Sequence, residues 1–209
     1  MRWRRKLDFL PKINDISELE AIYGVPAKAS LIKVRDFVTP LHATWIAASR
    51  LCILSTIGPE GTDASPRGDD GPAARLADPR TLLIPDWRGN NRMDSLRNIV
   101  RDGRVSLLFL VQGANICVRI NGLAEVRLDD DLLDQFDDKG RKPRSVIVVS
   151  VAEVYSQCAR ALMRAGTWSG EDHSAGLPTV GDFLNEAEAD FDGAAYDAAW
   201  GDRAEKTMW

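Results

Sequence analysis

Residues 82–92, LLIPDWRGNNR, and the run that follows at 93–111, MDSLRNIVRDGRVSLLFLV, decide how the chain is organised. Leu82, Leu83 and Ile84 form a short apolar run that predicts a strand, broken at Pro85. A polar loop over 86–91 holds Arg88, Gly89 and two amides. A helix is expected next: Met93, Leu96, Ile99 and Val100 share one face, Asn91 can cap it with Asp94 three positions on, and Gly103 can stop it. A second apolar run, 105–111, predicts another strand. A loop at a helix N-terminus flanked by Arg88 and Arg92 suits a phosphate, because free N–H groups, the positive end of a dipole and guanidinium forks converge there. The same pattern also fits an ordinary solvated strand-to-helix turn.

Outward from this centre, the first 50 residues read as helical and irregular. Helices are expected at 17–23 and 27–38, and Thr39-Pro40 opens one that runs to about residue 50. From residue 51 the texture changes. Strands are expected at 51–57, 62–67, 81–84, 105–111, 116–128 and 145–151, with a turn at Gly58-Pro59-Glu60-Gly61 and a loop over 68–80. Asn121-Gly122 inside a long run marks a bend or bulge. Helices are predicted at 129–138, 155–165 and 180–189. Short antiparallel strands interrupted by one helix indicate a closed barrel with peripheral helices, with an open α+β sheet as the alternative. The expected division is a helical extension at 1–50, the barrel at 51–170 and an acidic helical tail at 171–209, packed on the same domain.

With 209 residues, 44% hydrophobic and 28% charged, the chain can bury a core. A net charge of −4 speaks against a nucleic-acid partner. No apolar stretch reaches the roughly 18 residues that span a membrane, and the basic start, MRWRRKLDFL, lacks a signal-peptide apolar region. A cytoplasmic protein is therefore expected. Three cysteines without paired spacing argue against a disulfide framework, and two histidines without a ligand cluster argue against a built-in metal site.

Over about residues 51–127 these features resemble the pyridoxamine 5′-phosphate oxidase-like family of FMN-binding split barrels. CILSTIGPEGTDASPRGD (52–69) resembles its first hairpin, with Gly61 at the turn and Ser65, Pro66 and Arg67 entering the flavin-facing strand. LLIPDWRGNNRMDSLRNIVRDGRVSLLFLV resembles its strand–loop–helix–strand: Pro85 and Asp86 fall on the strand-end pair beside the flavin, and Asn91 and Arg92 on the pair that holds phosphate. ICVRINGLAEV carries Gly122 and Glu125 in the family's Gly-x-Ala-Glu pattern, and SQCARALMRAGTW (156–168) resembles the end of one FMN-binding subgroup. The resemblance implies a mainly β fold, a six-stranded antiparallel split barrel with flanking helices, working as a homodimer with FMN at the subunit interface.

The resemblance also implies cofactor contacts from Ser65, Pro66, Arg67, Pro85, Asp86, Arg88, Asn91 and Arg92, with Asp86 accepting from the ribityl chain or ring, or orienting Arg88 or Arg92. Arg160, Arg164 and Trp168 are candidates for the substrate or partner-subunit side. Trp87 is a candidate to stack on a ring, although tryptophan is more commonly a core or interface residue. The chain departs from true pyridoxamine phosphate oxidases. Its end is acidic (EAEADFDGAAYDAAWGDRAEKTMW), Asn91 stands where a basic residue is expected, and Gly-Asp-Asp-Gly follows Arg67. The expectation is thus an FMN-dependent oxidoreductase acting on an unidentified small substrate rather than on vitamin B6. The alternative is a flavin-binding carrier or sensor without turnover.

Overall fold

The computed structural model describes residues 11–137, 140–158 and 160–207. Contacts divide the chain into two compact units that meet in sequence between Val34 and Arg35. In the first, α1 (Ile16–Tyr23) is capped by Asp15, whose carboxylate accepts the Glu18 N–H at 2.9 Å, and ends at Gly24 with φ 70°. The helix α2 (Lys28–Ile32) follows. It is shorter than the 27–38 expected, because the backbone of residues 35–38 is engaged within the second unit: Arg35 forms a bridge with Val154, and the Val38 N–H donates to the Pro79 carbonyl.

The second unit is built on seven antiparallel strands: β1 (Leu51–Gly58), β2 (Gly61–Gly68), β3 (Arg75–Asp78), β4 (Thr81–Asp86), β5 (Arg104–Leu110), β6 (Ile116–Arg127) and β7 (Ser145–Cys158). The hydrogen-bonded order is β2-β1-β5-β6-β7-β4-β3, so β2 and β3 are the edges and the ladder does not close on itself. The helices are α3 (Pro40–Ala48), α4 (Asp94–Arg101), α5 (Asp130–Asp134), α6 (Arg160–Arg164), α7 (Val180–Ala187), α8 (Gly193–Ala198) and α9 (Trp200–Thr207). None of the described helices is long and apolar enough to cross a membrane.

Register explains the core. The inward residues of β1, β5 and β6 fall opposite one another: Cys52 against Phe109 and Phe109 against Val118, Leu54 against Leu107 and Leu107 against Ile120. All are buried. Ile84 and Leu82 of β4 face Ile147 and Val149 of β7 in the same core. The helix α4 packs over β1 and also reaches β2 and β6. A second, smaller cluster (Leu83, Phe136 and Val146, with Leu132, Leu133 and Trp87 against it) lies on the other side of β4.

The bulge expected at Asn121-Gly122 is present, but the extra residue is on the partner: Asn121 pairs with Glu153 and Gly122 with Val151, leaving Ala152 unpaired on β7. The consequence is a change of parity along β7. Ile147, Val149 and Val151 are buried before the bulge and Val154 after it, so one long strand keeps its apolar side inward through a bend.

Three further expectations are corrected. The 68–80 loop contains β3, a four-residue charged edge strand with no apolar run to announce it. The helix expected at 155–165 is strand to Cys158 and helical only over Arg160–Arg164, because Tyr155 to Cys158 pair with Arg119 to Ile116 and sheet pairing overrides local preference. The 171–209 region holds two helices beyond the one expected: α8 and α9 follow α7, whose N-terminus is closed by a reciprocal Thr179–Asp182 capping box.

Burial pushes the Cys52 thiol up to about 12 against the opposing pull of Arg67, its partner across the β1–β2 pair. Cys117 is also buried, whereas Cys158 is exposed. A disulfide-exchange reagent at mildly alkaline pH should therefore titrate one thiol rapidly in the native protein and the other two of the three only after denaturation. Rapid reaction of all three would contradict this packing.

Candidate functional site

A cleft of about 1260 Å³ opens between β2, the end of β4, the loop after it and the first turn of α4. Every residue placed on the cofactor by the sequence lines it: Ser65, Pro66 and Arg67 from β2, Pro85 and Asp86 from β4, and Arg88, Asn91 and Arg92 from the loop. The start of β7 adds Arg144 and Ser145, because Asp86 pairs with Ser145 in the β4–β7 ladder. Ala73, Leu96 and Val126 supply apolar walls.

Two side-chain struts, one between the strands and one between the residues that directly follow them, join the ends of β2 and β4, which are not hydrogen-bonded neighbours. Arg67 Nη1 donates to Asp86 Oδ1 in an ion pair whose side chains are only 19% and 14% exposed. Trp87 Nε1 donates to Asp69 Oδ2 at 3.0 Å, with the Trp87 ring resting on the smaller apolar cluster. Asp86 does orient an arginine, but it is Arg67 rather than Arg88 or Arg92. The Nε–H of Arg67 is buried and has no partner among the described residues. An unsatisfied donor on a charged group is costly to bury.

The loop is conformationally strained. Asn91 and Met93 both adopt left-handed backbone angles with φ 61°. Asn tolerates that region, but for methionine it costs on the order of 1 kcal/mol. Met93, not Asn91, is the N-cap of α4, and it gives no side-chain cap to the first N–H groups. Asn91 is otherwise engaged: its Oδ1 accepts from Arg144 Nη1 at 2.7 Å. At the other end of α4, Gly103 turns the chain as expected, with φ 81°.

Charge in the cleft is largely compensated. Arg67 pairs with Asp86, Arg92 Nε with Asp94 at 2.8 Å, and Asp70 with Arg50. Asp63 accepts from the Ser95 hydroxyl and Asp69 from Trp87, both neutral donors. Arg88 and Arg144 line the same cleft with no carboxylate partner among the described residues. The loop end can therefore hold an anion, and the strand end sets Arg67 beside an apolar wall. Among the described residues no group of three or more His, Cys, Asp or Glu side chains is placed to hold a metal ion.

Arg160, Arg164 and Trp168 do not join this cleft. They follow the far end of β7, whose 14 residues starting at Ser145 trace roughly 45 Å. Trp168 Nε1 instead donates to the Ala114 carbonyl, beside the β5–β6 turn, at 3.0 Å. Arg144 was missed by the sequence reading. Its signal was the basic run Arg141-Lys142-Pro143-Arg144 directly before an apolar strand.

Residues 38–158 match the family described as pyridoxamine 5′-phosphate oxidase, more than half of the chain. The chain belongs to the pyridoxamine 5′-phosphate oxidase family. The cleft lies wholly within the matched segment, and the family segment ends at Cys158, just before α6. Among curated proteins no sequence matches this family member. Among solved structures it is similar to the tagged HupZ protein of Group A Streptococcus (16% identity, 58% of this chain, 95% of that chain, TM-score 0.49). It is also similar to general stress protein 26 of Bacillus anthracis (17% identity, 54% and 88%, TM-score 0.42). A third is the FAD binding protein of Mycobacterium smegmatis (11% identity, 59% and 97%, TM-score 0.41).

Proposed function

We propose that this family member binds FMN in the cleft and works as an FMN-dependent oxidoreductase on a small substrate. The observation that carries the reading is a cleft of about 1260 Å³, lined by Arg67 at its strand end, whose loop end holds Arg88 and Arg144, cations free of carboxylate partners among the described residues. Residues and ligand fit in kind: an anion suits Arg88, Arg92, Arg144 and the uncapped start of α4, with Asn91 beside them, and the rim of a heterocycle suits Arg67. Ser65 offers a hydroxyl, while Pro66 and Pro85 offer flat apolar surface.

When bound, the flavin supplies the hydride or electron transfer. The chain's part is to hold and orient. Asp86 fixes the fork of Arg67 at the strand end, which favours binding by lowering the ordering cost. The walls of Ala73, Leu96 and Val126 exclude water from one side of the cleft. Arg160, Arg164 and Trp168 lie too far along β7 to serve the cleft of their own chain. In a homodimer with the cofactor between subunits they would approach it from the partner, as an anion-attracting rim for the substrate.

The test is a titration of purified protein with FMN, FAD and riboflavin, read by visible absorption and flavin fluorescence. Saturable binding of FMN with altered flavin absorption is the expected result, followed by substrate-dependent reduction or reoxidation of the bound cofactor. Protein indifferent to all three flavins would overturn the reading. Tight binding with no exchange of electrons with any reductant or acceptor would instead favour the carrier or sensor.

A further inference from the structure

Arg144 lies 53 residues from Asn91 in the chain, yet its guanidinium donates to Asn91 Oδ1 at 2.7 Å, two positions before the N-cap of α4. Its backbone is tied down as well: the Arg144 N–H donates to the Asp86 carbonyl at 3.0 Å. Resting on the proposal of flavin binding, we infer that Arg144 is the principal phosphate-binding cation of the cleft, and that Asn91 is its positioning residue rather than a phosphate donor.

Comparison of the cleft's arginines carries the inference. Arg67 is neutralised by Asp86 at the strand end. Arg92 is neutralised by Asp94, and its side chain is 76% exposed. Both would have to loosen an ion pair to engage a second anion. Arg88 has no carboxylate partner, but it precedes Gly89 on an exposed loop and nothing in the described residues fixes its side chain. Arg144 alone combines uncompensated charge with a fixed position. Its side-chain partner among the described residues is a neutral amide oxygen, which orients the fork without cancelling its charge, and the remaining N–H donors stay available.

The left-handed backbone of Asn91 gains a reason from this arrangement. It is one of the few side chains that adopt φ 61° at low cost. The turn that residue makes sets its carboxamide against the guanidinium. A dianion placed at the loop end would then meet the Arg144 fork and the first N–H groups of α4 together, contacts that are individually modest and additive in direction.

The experiment compares FMN with riboflavin, which differ by the phosphate alone, on the full chain. In Arg144→Gln the FMN dissociation constant should rise about tenfold to a hundredfold, with riboflavin affinity unchanged within about twofold. Arg92→Gln should raise the FMN constant less than Arg144→Gln does. Arg144→Lys should recover part of the loss, since charge returns without the fork. Asn91→Gly, which keeps the left-handed backbone and removes only the carboxamide, should weaken FMN in the same direction and have little further effect in combination with Arg144→Gln. Equal losses for FMN and riboflavin would reduce Arg144 to a shaper of the loop and overturn the inference, as would an Arg144→Gln protein with wild-type FMN affinity. Both results leave flavin binding itself standing. Wild-type protein that binds neither flavin removes the underlying reading and this inference together. The melting temperature of each variant verifies that the exposed substitution leaves the fold intact.

Discussion

Asp86→Ala should lower the unfolding free energy by about 3 kcal/mol, read as a fall in the urea midpoint. The reason lies in what remains rather than in what is lost. Arg67 already has one buried N–H without a partner, and its side chain is only 19% exposed. Removing the carboxylate leaves a whole guanidinium desolvated and uncompensated, and the strut between β2 and β4 disappears with it. The double variant Arg67→Met, Asp86→Leu separates stability from function. An apolar pair of similar volume is near neutral or better for the fold, so the double variant should melt close to wild type while failing to retain flavin. A double variant as unstable as Asp86→Ala would show that the pair's geometry, not its desolvation, governs stability here. Normal flavin retention in it would remove Arg67 from the site.

Gly122→Ala is expected to cost a similar amount, about 3 kcal/mol, through backbone rather than charge. A Cβ built on Gly122 falls far inside van der Waals contact with the Ser150 carbonyl oxygen, with the Ser150 carbonyl carbon at 3.1 Å. The obstacle is main chain in the middle of the β6–β7 ladder, so no rotamer can relieve it. The strands must part at the bulge, and the parity change that brings Val154 and Val151 to the same side goes with them. Gly71→Ala, where a Cβ meets nothing within 4 Å, is the control and should be close to silent. The comparison is a pair of thermal melts, and equal midpoints for the two variants would contradict the close approach.

Much of this was legible in single stretches. Alternation and apolar runs located β1, β2, β4, β5 and β6 to within a few residues, the Gly58–Gly61 turn closed the first hairpin, and Asn121-Gly122 marked the bulge. The strand–loop–helix centred on Pro85 placed the cleft. Where the reading failed, the missing information was non-local. The short charged strand β3 exists only because β4 lies beside it, and 155–158 is strand only because β6 offers 116–119 as a partner. Asn91 has the residue type of a cap, but in the folded chain its carboxamide serves Arg144.

Periodicity and turn chemistry, which act over a few residues and are written along the chain, specify its antiparallel β character and the helix that interrupts it, whereas the strand and loop residues that line the cleft were legible through the family resemblance of 52–69 and 82–111. Which arginine is neutralised and which is not is settled by the folded chain: Asp86 takes Arg67, Asp94 takes Arg92, and Arg144 arrives just before β7 with its charge intact. Those assignments depend on which strands lie side by side and in what register. That is set by burial summed over the whole core, not by the spacing of charges in any one segment.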